Sequence, residues 1–257
     1  YNLRSLEDII LWNRENNINF FRIGSEIIPF ASHEEFDFDW KKDFKDKLRS
    51  LKEMANETNM RFTMHPGQYT VLNSQRPEVV QKAIDEIEYH AQFLHEIYPD
   101  KGKIVIHTGG VYGDKDKAKK VFIKNFELLS ELAKKMLILE NDDKSYNVFD
   151  VLEISEKINI PVVFDILHHI CNTPCKKPYE NLEEIIEKVV NTWKGDIPIF
   201  HLSSRKGNIG CPHTEFIRKP DFNKLISIMK KVKNYSQFDI MVEAKAKEKA
   251  VIELLKI

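Results

Sequence analysis

The sequence predicts an α/β fold, a TIM-type (β/α) barrel, on three observations. Short runs rich in Val, Ile and Phe alternate with longer amphipathic stretches rich in Lys and Glu, the order expected of βα units around a parallel sheet. Seven such runs occur in 257 residues, a length that barrels of this kind commonly use as one domain. Metal-capable side chains stand directly after six of the seven runs.

The expected strands are Ile18 to Ile23, Arg61 to Met64, Lys103 to Ile106, Met136 to Leu139, Pro161 to Phe164, Ile197 to Phe200 and Phe238 to Val242. Each is short enough to be buried on both faces. Apolar residues at spacings of three and four predict helices over Ser5 to Asn13, Trp40 to Asn56, Pro77 to Ile97, Lys117 to Lys134, Tyr146 to Lys157, Glu180 to Asn191, Asp221 to Val232 and Lys245 to Leu255. The chain opens in a helix, with Asn2 or Ser5 as its cap. An eight-stranded barrel is therefore one strand short: a first strand is expected upstream of Tyr1, the alternative being a barrel open between its second and eighth strands. No repeat, low-complexity tract or flexible linker interrupts the pattern, so residues 1–257 are read as a single domain.

Composition narrows the function classes. With 39 Lys+Arg against 40 Asp+Glu, the formal net charge is −1, which argues against a broad electrostatic affinity for nucleic acid while allowing a local basic rim. No apolar run is long enough to span a bilayer and no signal peptide opens the chain, so a cytoplasmic protein without a membrane partner is expected. The three cysteines, Cys171, Cys175 and Cys211, match no zinc-knuckle spacing and are expected to be reduced.

The residues after the runs are His65, His107, Glu140, Asp165, His201 and Glu243. Nine His and 40 Asp+Glu make roughly one residue in five metal-capable, far too few for six such placements by chance. In a barrel of this type the C-terminal strand ends meet on one face, where the active site lies. Three carboxylates converging there would repel one another unless cations joined them, and a mixed imidazole and carboxylate set suits Mn²⁺, Zn²⁺ or Fe²⁺. Two more histidines, His168 and His213, suggest more than one ion. His169 adjoins His168, and the sequence alone leaves open which of the two turns inward. His90 and His95, five apart on a helix, are read as surface residues. Gln68 and Tyr69 of MHPGQY stand at the rim, as a loop tyrosine packed on a helix or as an aromatic that stacks on a nucleobase. Gly109 and Gly110 of HTGG would let backbone approach a ligand. Arg205 and Lys206 of SSRKGNIG, followed by Arg218 and Lys219, could neutralise phosphates.

SEIIPFASH, MHPGQY, HTGG, LILEND, FDILHH, FHLSS and MVEAKAKEKA, in this order, resemble the UV damage endonucleases over nearly the whole chain. The resemblance implies a metal-dependent barrel related to endonuclease IV that nicks damaged double-stranded DNA 5′ of ultraviolet photoproducts, as a monomer and without a nucleotide cofactor. It implies two or three divalent transition-metal ions, manganese first. His65, His107 and Glu140 would hold one ion. Glu140 would also serve a second with Asp165, His201 and Glu243, and His168 with His213 a third. Glu140, Asp165, His201 and Glu243 would be catalytic. Gln68 and Tyr69 would wedge into the helix at the lesion, His33 would line the site, and Arg205 and Lys206 would meet DNA. The sequence departs from the family at Ile199, where a lysine is usual. The rival readings are an abasic-site endonuclease, a metal-dependent sugar isomerase on a related barrel, and a non-catalytic binder of damaged DNA.

Overall fold

The computed structural model describes residues 1–99, 101–207, 209–232 and 237–256. By internal contacts the chain divides into two compact units, Tyr1–Ile138 and Leu139–Ile257.

In the first unit, α1 (Asn2–Glu15) leads into β1 (Phe20–Ile23), a 3-10 turn at Ser25–Ile27, α2 (Trp40–Asp43), α3 (Lys45–Thr58) and β2 (Arg61–Met64). Then follow α4 (Pro77–Ile97), β3 (Lys103–His107), α5 (Lys115–Phe126) and α6 (Glu131–Met136). The strands pair in parallel in chain order, Phe20 with Arg61 and Thr63 with Lys103. Leu3, Leu6 and Ile10 are buried on α1, which packs on α3 through Leu48, Leu51 and Ala55. The α1 cap position is Tyr1 and carries no side-chain cap; the Asn2 amide donates instead to the Glu26 carbonyl at 2.9 Å. Two expected helices are each divided. Phe44 breaks Trp40 to Asn56, and the stretch 127–130 separates α5 from α6, whose N-cap Ser130 accepts from Ala133 N. A short side chain at an N-cap satisfies an otherwise orphaned helix N–H, and so favours a fresh start over continuation.

The second unit runs β4 (Leu137–Glu140, from the end of the first unit), α7 (Val148–Ile158), β5 (Val162–Asp165), α8 (Ile166–Cys171), α9 (Leu182–Asn191), β6 (Ile199–Leu202), α10 (Lys219–Met229), β7 (Asp239–Val242) and α11 (Glu248–Leu255). All its strand pairs are parallel and in chain order. Strands β4, β5 and β6 are buried along their whole length, as parallel strands covered by helices require. Helix α7 starts in a capping box between Asn147 and Asp150, and Trp193 donates its indole N–H to the Val162 carbonyl at 2.8 Å.

Two expectations fail. His90 is fully buried, its ring Nδ1 2.6 Å from the Glu86 carbonyl oxygen, because it lies three residues from Ile87 and four from Leu94, on the same buried stripe of α4 as Ala91; His95 is exposed, as expected. Cys171 and Cys211 are disulfide-bonded across 40 residues, Cα atoms 6.4 Å apart, and only Cys175 is free. Chain spacing conceals that pair because α8 and the loop after β6 are brought together only by the strand order. Among the described residues, no helix is long and apolar enough to cross a membrane.

Candidate metal centre

Parallel pairing places the ends of adjacent strands at one edge, and register does the rest. Asp165 at the end of β5 lies opposite His201 of β6, and Glu140 ends β4 opposite Val163. Glu243 follows β7 and donates its backbone N–H to the Leu202 carbonyl at 2.8 Å. Ligand atoms of Glu140, Asp165 and His201 lie within 4.8 Å of one another, and all three residues are buried. The His201 ring Nδ1 stands 2.8 Å from Glu140 Oε1 and 3.4 Å from Glu243 Oε1.

Helix α8 brings in the next residue. Asp165 is its N-cap, accepting from His168 N at 2.7 Å through Oδ1. That turn sends the His168 ring toward the carboxylates, 3.4 Å from Glu140 Oε1 and 3.9 Å from Asp165 Oδ2. His169 turns away, placing Nε2 2.9 Å from the Pro178 carbonyl oxygen and its ring against Phe164. The choice that the sequence leaves open thus falls on His168.

Asn141 is a residue the sequence reading passed over. It is fully buried; its Oδ1 accepts from Asp165 N at 2.9 Å, and its Nδ2 donates to the Asp165 carbonyl at 3.1 Å. Its own carbonyl oxygen lies 3.0 Å from His168 Nδ1. One side chain therefore fixes Asp165 while its backbone orients His168. Its place directly after Glu140 in LILEND was the available signal.

Burial, reinforced by the Glu140 and Glu243 charges, pushes Asp165 up to about 7. Burial works against a charge on His168 as well, but the Asp165 and Glu140 carboxylates override it and raise His168 to about 10. Asp165 Oδ2 is buried and makes no hydrogen bond. Carboxylates crowded together out of water, with one oxygen unsatisfied, fit a bound cation. Both shifts favour the protonated, metal-free protein: stability at Asp165 is lost as pH rises from the ordinary carboxylate range through about 7, and at His168 as pH rises from about 6.5 through about 10. A cation needs the deprotonated ligands, so its contribution grows over the same window. Thermal unfolding with and without Mn²⁺ should show a larger rise in Tm at pH 8 than at pH 6; equal rises would mean that the cluster does not bind the ion.

In the first unit, the His65 and His107 rings at the ends of β2 and β3 lie 5.2 Å apart. Beyond His65, the loop leaves Gln68 exposed and Tyr69 83% exposed, which rejects a tyrosine packed on a helix. A cleft of about 660 Å³ beside it is lined by His33, His65, Tyr69, Glu86 and Tyr89. The Tyr89 hydroxyl accepts from Ile28 N at 3.0 Å and donates to the Ser25 carbonyl at 3.2 Å, holding the 3-10 turn against α4. The glycines of HTGG answer to their own chain. A Cβ on Gly109, at φ +110°, would lie 2.3 Å from Asn73 Oδ1, and one on Gly110 would lie 2.7 Å from the Tyr112 ring.

Arg205 pairs with His213 in an isolated antiparallel bridge and donates Nε to the Gly210 carbonyl, while Lys206 is exposed. His213 therefore sits in the loop after β6, outside the close group of Glu140, Asp165 and His201. Ile199 is fully buried two residues before His201, on the same face of β6. Ile199→Lys is expected to increase retention of one Mn²⁺ at limiting metal, because a side chain there points toward the same region as His201. A variant as stable as wild type with unchanged metal affinity and nicking would exclude a vacant ligand position.

A family model described as "UV-endonuclease UvdE" matches residues 1–257. The chain belongs to this family. A UV DNA damage endonuclease of Clostridium perfringens is 42% identical over 263 residues, and the match takes in 99% of this chain. That chain is longer, and the present one spans 61% of its length; it spans 80% of a Bacillus thuringiensis relative of the same name, at 35% identity. The crystal structure of SacUVDE aligns with a TM-score of 0.90 and 37% identity over 99% of this chain and 84% of that one. Endonuclease IV from Thermus thermophilus aligns at a TM-score of 0.69 and 12% identity, covering 97% of this chain and 91% of that one, a likeness of fold alone. The fold class is accordingly α/β, of the TIM-barrel type, as the strand order expects.

Proposed function

We propose that the chain is the catalytic part of a metal-dependent DNA repair endonuclease that nicks damaged double-stranded DNA 5′ of ultraviolet photoproducts, leaving a 3′-hydroxyl and a 5′-phosphate. The observation that carries this reading is the buried Glu140, Asp165 and His201 group, with Asp165 Oδ2 unsatisfied, in a chain whose whole length matches the family. The proposed cofactors are two or three divalent ions, manganese first with zinc or iron as alternatives. Glu140, Asp165, His201 and Glu243 would hold them, with His168 and His213 as further ligands and His65 and His107 as the ligand pair of the first unit. When bound, such ions supply a hydroxide nucleophile near neutral pH and stabilise charge on the phosphate and leaving oxygen.

The protein's own residues set the conditions for that chemistry. Burial of Glu140 and Asp165 excludes water that would screen their charge. His201, 2.8 Å from Glu140, and the Asn141 bracket hold the carboxylates in register before any substrate arrives. Gln68 and Tyr69 stand free to insert into a duplex, an act that costs less where a photoproduct has already weakened stacking. His33 would border the displaced lesion, and Arg205 with Lys206 would meet backbone phosphates.

The test uses three defined duplexes, carrying one photoproduct, one abasic site or no damage, with and without Mn²⁺. Nicking of the photoproduct duplex alone, dependent on metal, is the expected result. Cleavage confined to the abasic duplex would assign an abasic-site endonuclease. Turnover of free sugars with no nicking would assign an isomerase. Metal-independent binding of damaged DNA without nicking would assign a binder.

A further inference from the structure

A cavity in the second unit is lined by residues other than those of the carboxylate group. Partly open and about 110 Å³ in volume, it is lined by Ile166, Leu167 and Ile170 of α8, by Ser203 just past β6, and by Tyr179, Arg205, Arg218, Asp221 and Lys224. Its size admits several waters or a small ion. Three cations and one carboxylate line it, leaving an excess of two positive charges over a floor that is apolar.

The carboxylate is already committed. Asp221 Oδ2 accepts from Ser204 Oγ at 2.5 Å and from Arg218 Nε at 2.9 Å, so it braces the wall. Lys224 holds its ammonium 4.8 Å from the centre of the Tyr179 ring, and both residues line the cavity. Arg218 is also the N-cap residue of α10, an 11-residue helix without a side-chain cap, so the positive end of its dipole begins at a residue that lines the cavity.

Ser203 supplies the independent observation. It is 3% exposed, lines the cavity, and its hydroxyl has no hydrogen-bond partner. Buried hydroxyls are ordinarily satisfied, so an unsatisfied one on the wall of a cationic cavity points to a ligand oxygen as the missing partner. The apolar floor sharpens the choice. It offers a low-dielectric backing in which an anion gains more from nearby cations than it would on an open surface.

We propose that this cavity is an oxyanion site for one phosphate, contributed by the backbone of bound DNA; the DNA part of the proposal rests on the endonuclease reading above. Seated there, a phosphate would meet Ser203, Arg218 and Lys224. Because Ser203 directly follows β6 and is two residues beyond His201, a phosphate held there would be tethered through the strand end to the carboxylate group.

Inorganic phosphate, titrated at constant ionic strength and followed by backbone amide shifts, tests the site directly. Saturable shifts at Ser203, Ser204 and Lys219 are expected, weakened about tenfold or more by an Arg218→Gln, Lys224→Gln double variant and severalfold by Ser203→Ala. Ser203→Ala removes only an unsatisfied hydroxyl, so the fold should survive it. Linear or absent shifts, or variants that bind phosphate as wild type does, overturn the site. A photoproduct duplex should reproduce the shifts and displace phosphate. The double variant should also lower the slope of log affinity against log salt by about one. Phosphate binding with a duplex that is nicked yet leaves these amides unmoved overturns the backbone assignment in favour of a free anion. A duplex that is neither bound nor nicked rejects the endonuclease reading, and the phosphate titration still decides the oxyanion site on its own.

Discussion

Glu140→Gln is expected to lower nicking of photoproduct DNA by about a thousandfold or more and to release bound metal together with activity. The substitution keeps the shape of the side chain and removes its charge. Glu140 is 1% exposed, with Oε1 2.8 Å from the His201 ring nitrogen and 3.4 Å from that of His168. An amide can retain one of these contacts, so the fold should persist. It cannot neutralise cations held by its neighbours, and it donates where a cation needs a lone pair. Elemental analysis, thermal unfolding and a nicking assay on one preparation separate loss of ligand from loss of fold. A folded variant with wild-type metal content and wild-type rate would remove Glu140 from the centre.

Tyr69→Ala should weaken binding to photoproduct duplex by about 1 to 3 kcal/mol, roughly fivefold to more than a hundredfold in Kd, with metal content unchanged. The side chain is 83% exposed, so truncation leaves no cavity and little stability is at stake. Its backbone belongs to a tight turn in which Thr70 N donates to the Gly67 carbonyl at 2.9 Å, and alanine can occupy that turn. What disappears is the π-face alone. Fluorescence anisotropy on damaged and undamaged duplexes reads the difference. Equal binding by variant and wild type to the damaged duplex would mean that the aromatic does not enter the helix.

The strands were the most legible part of the fold. Arg61 to Met64 is as expected, and β3 to β6 run one or two residues past their expected ends, into His107, Glu140, Asp165 and Leu202. The hydrophobic pattern stops at the first polar side chain, whereas the parallel ladder uses backbone groups and continues through it. That is also why Glu140, Asp165 and His201 are buried: they belong to the strands. Helix α8 was missed because ILHHIC is only six residues long and has no room for a periodic stripe. It begins where Asp165 caps it, so a residue expected to act as a ligand also starts a helix. Asn141 was overlooked since an amide carries no charge to mark it. His90 was misplaced because its distance from His95 was weighed instead of its spacing of three and four to Ile87 and Leu94, which puts it on the apolar stripe.

The Asn141 bracket has a further bearing on how the protein would live with its ions. Both hydrogen bonds of its amide go to the main chain of Asp165, so a carboxamide takes over a task that a ladder bond would otherwise perform. The ligand positions are thereby inherited from the sheet and exist before any ion arrives. The ordering entropy of the site is met during folding, and little remains to be lost at loading. On the proposed metal reading, a centre built this way would exchange one divalent ion for another without unfolding. The ion it carries in a cell would then follow supply and ligand preference more than any demand of the fold.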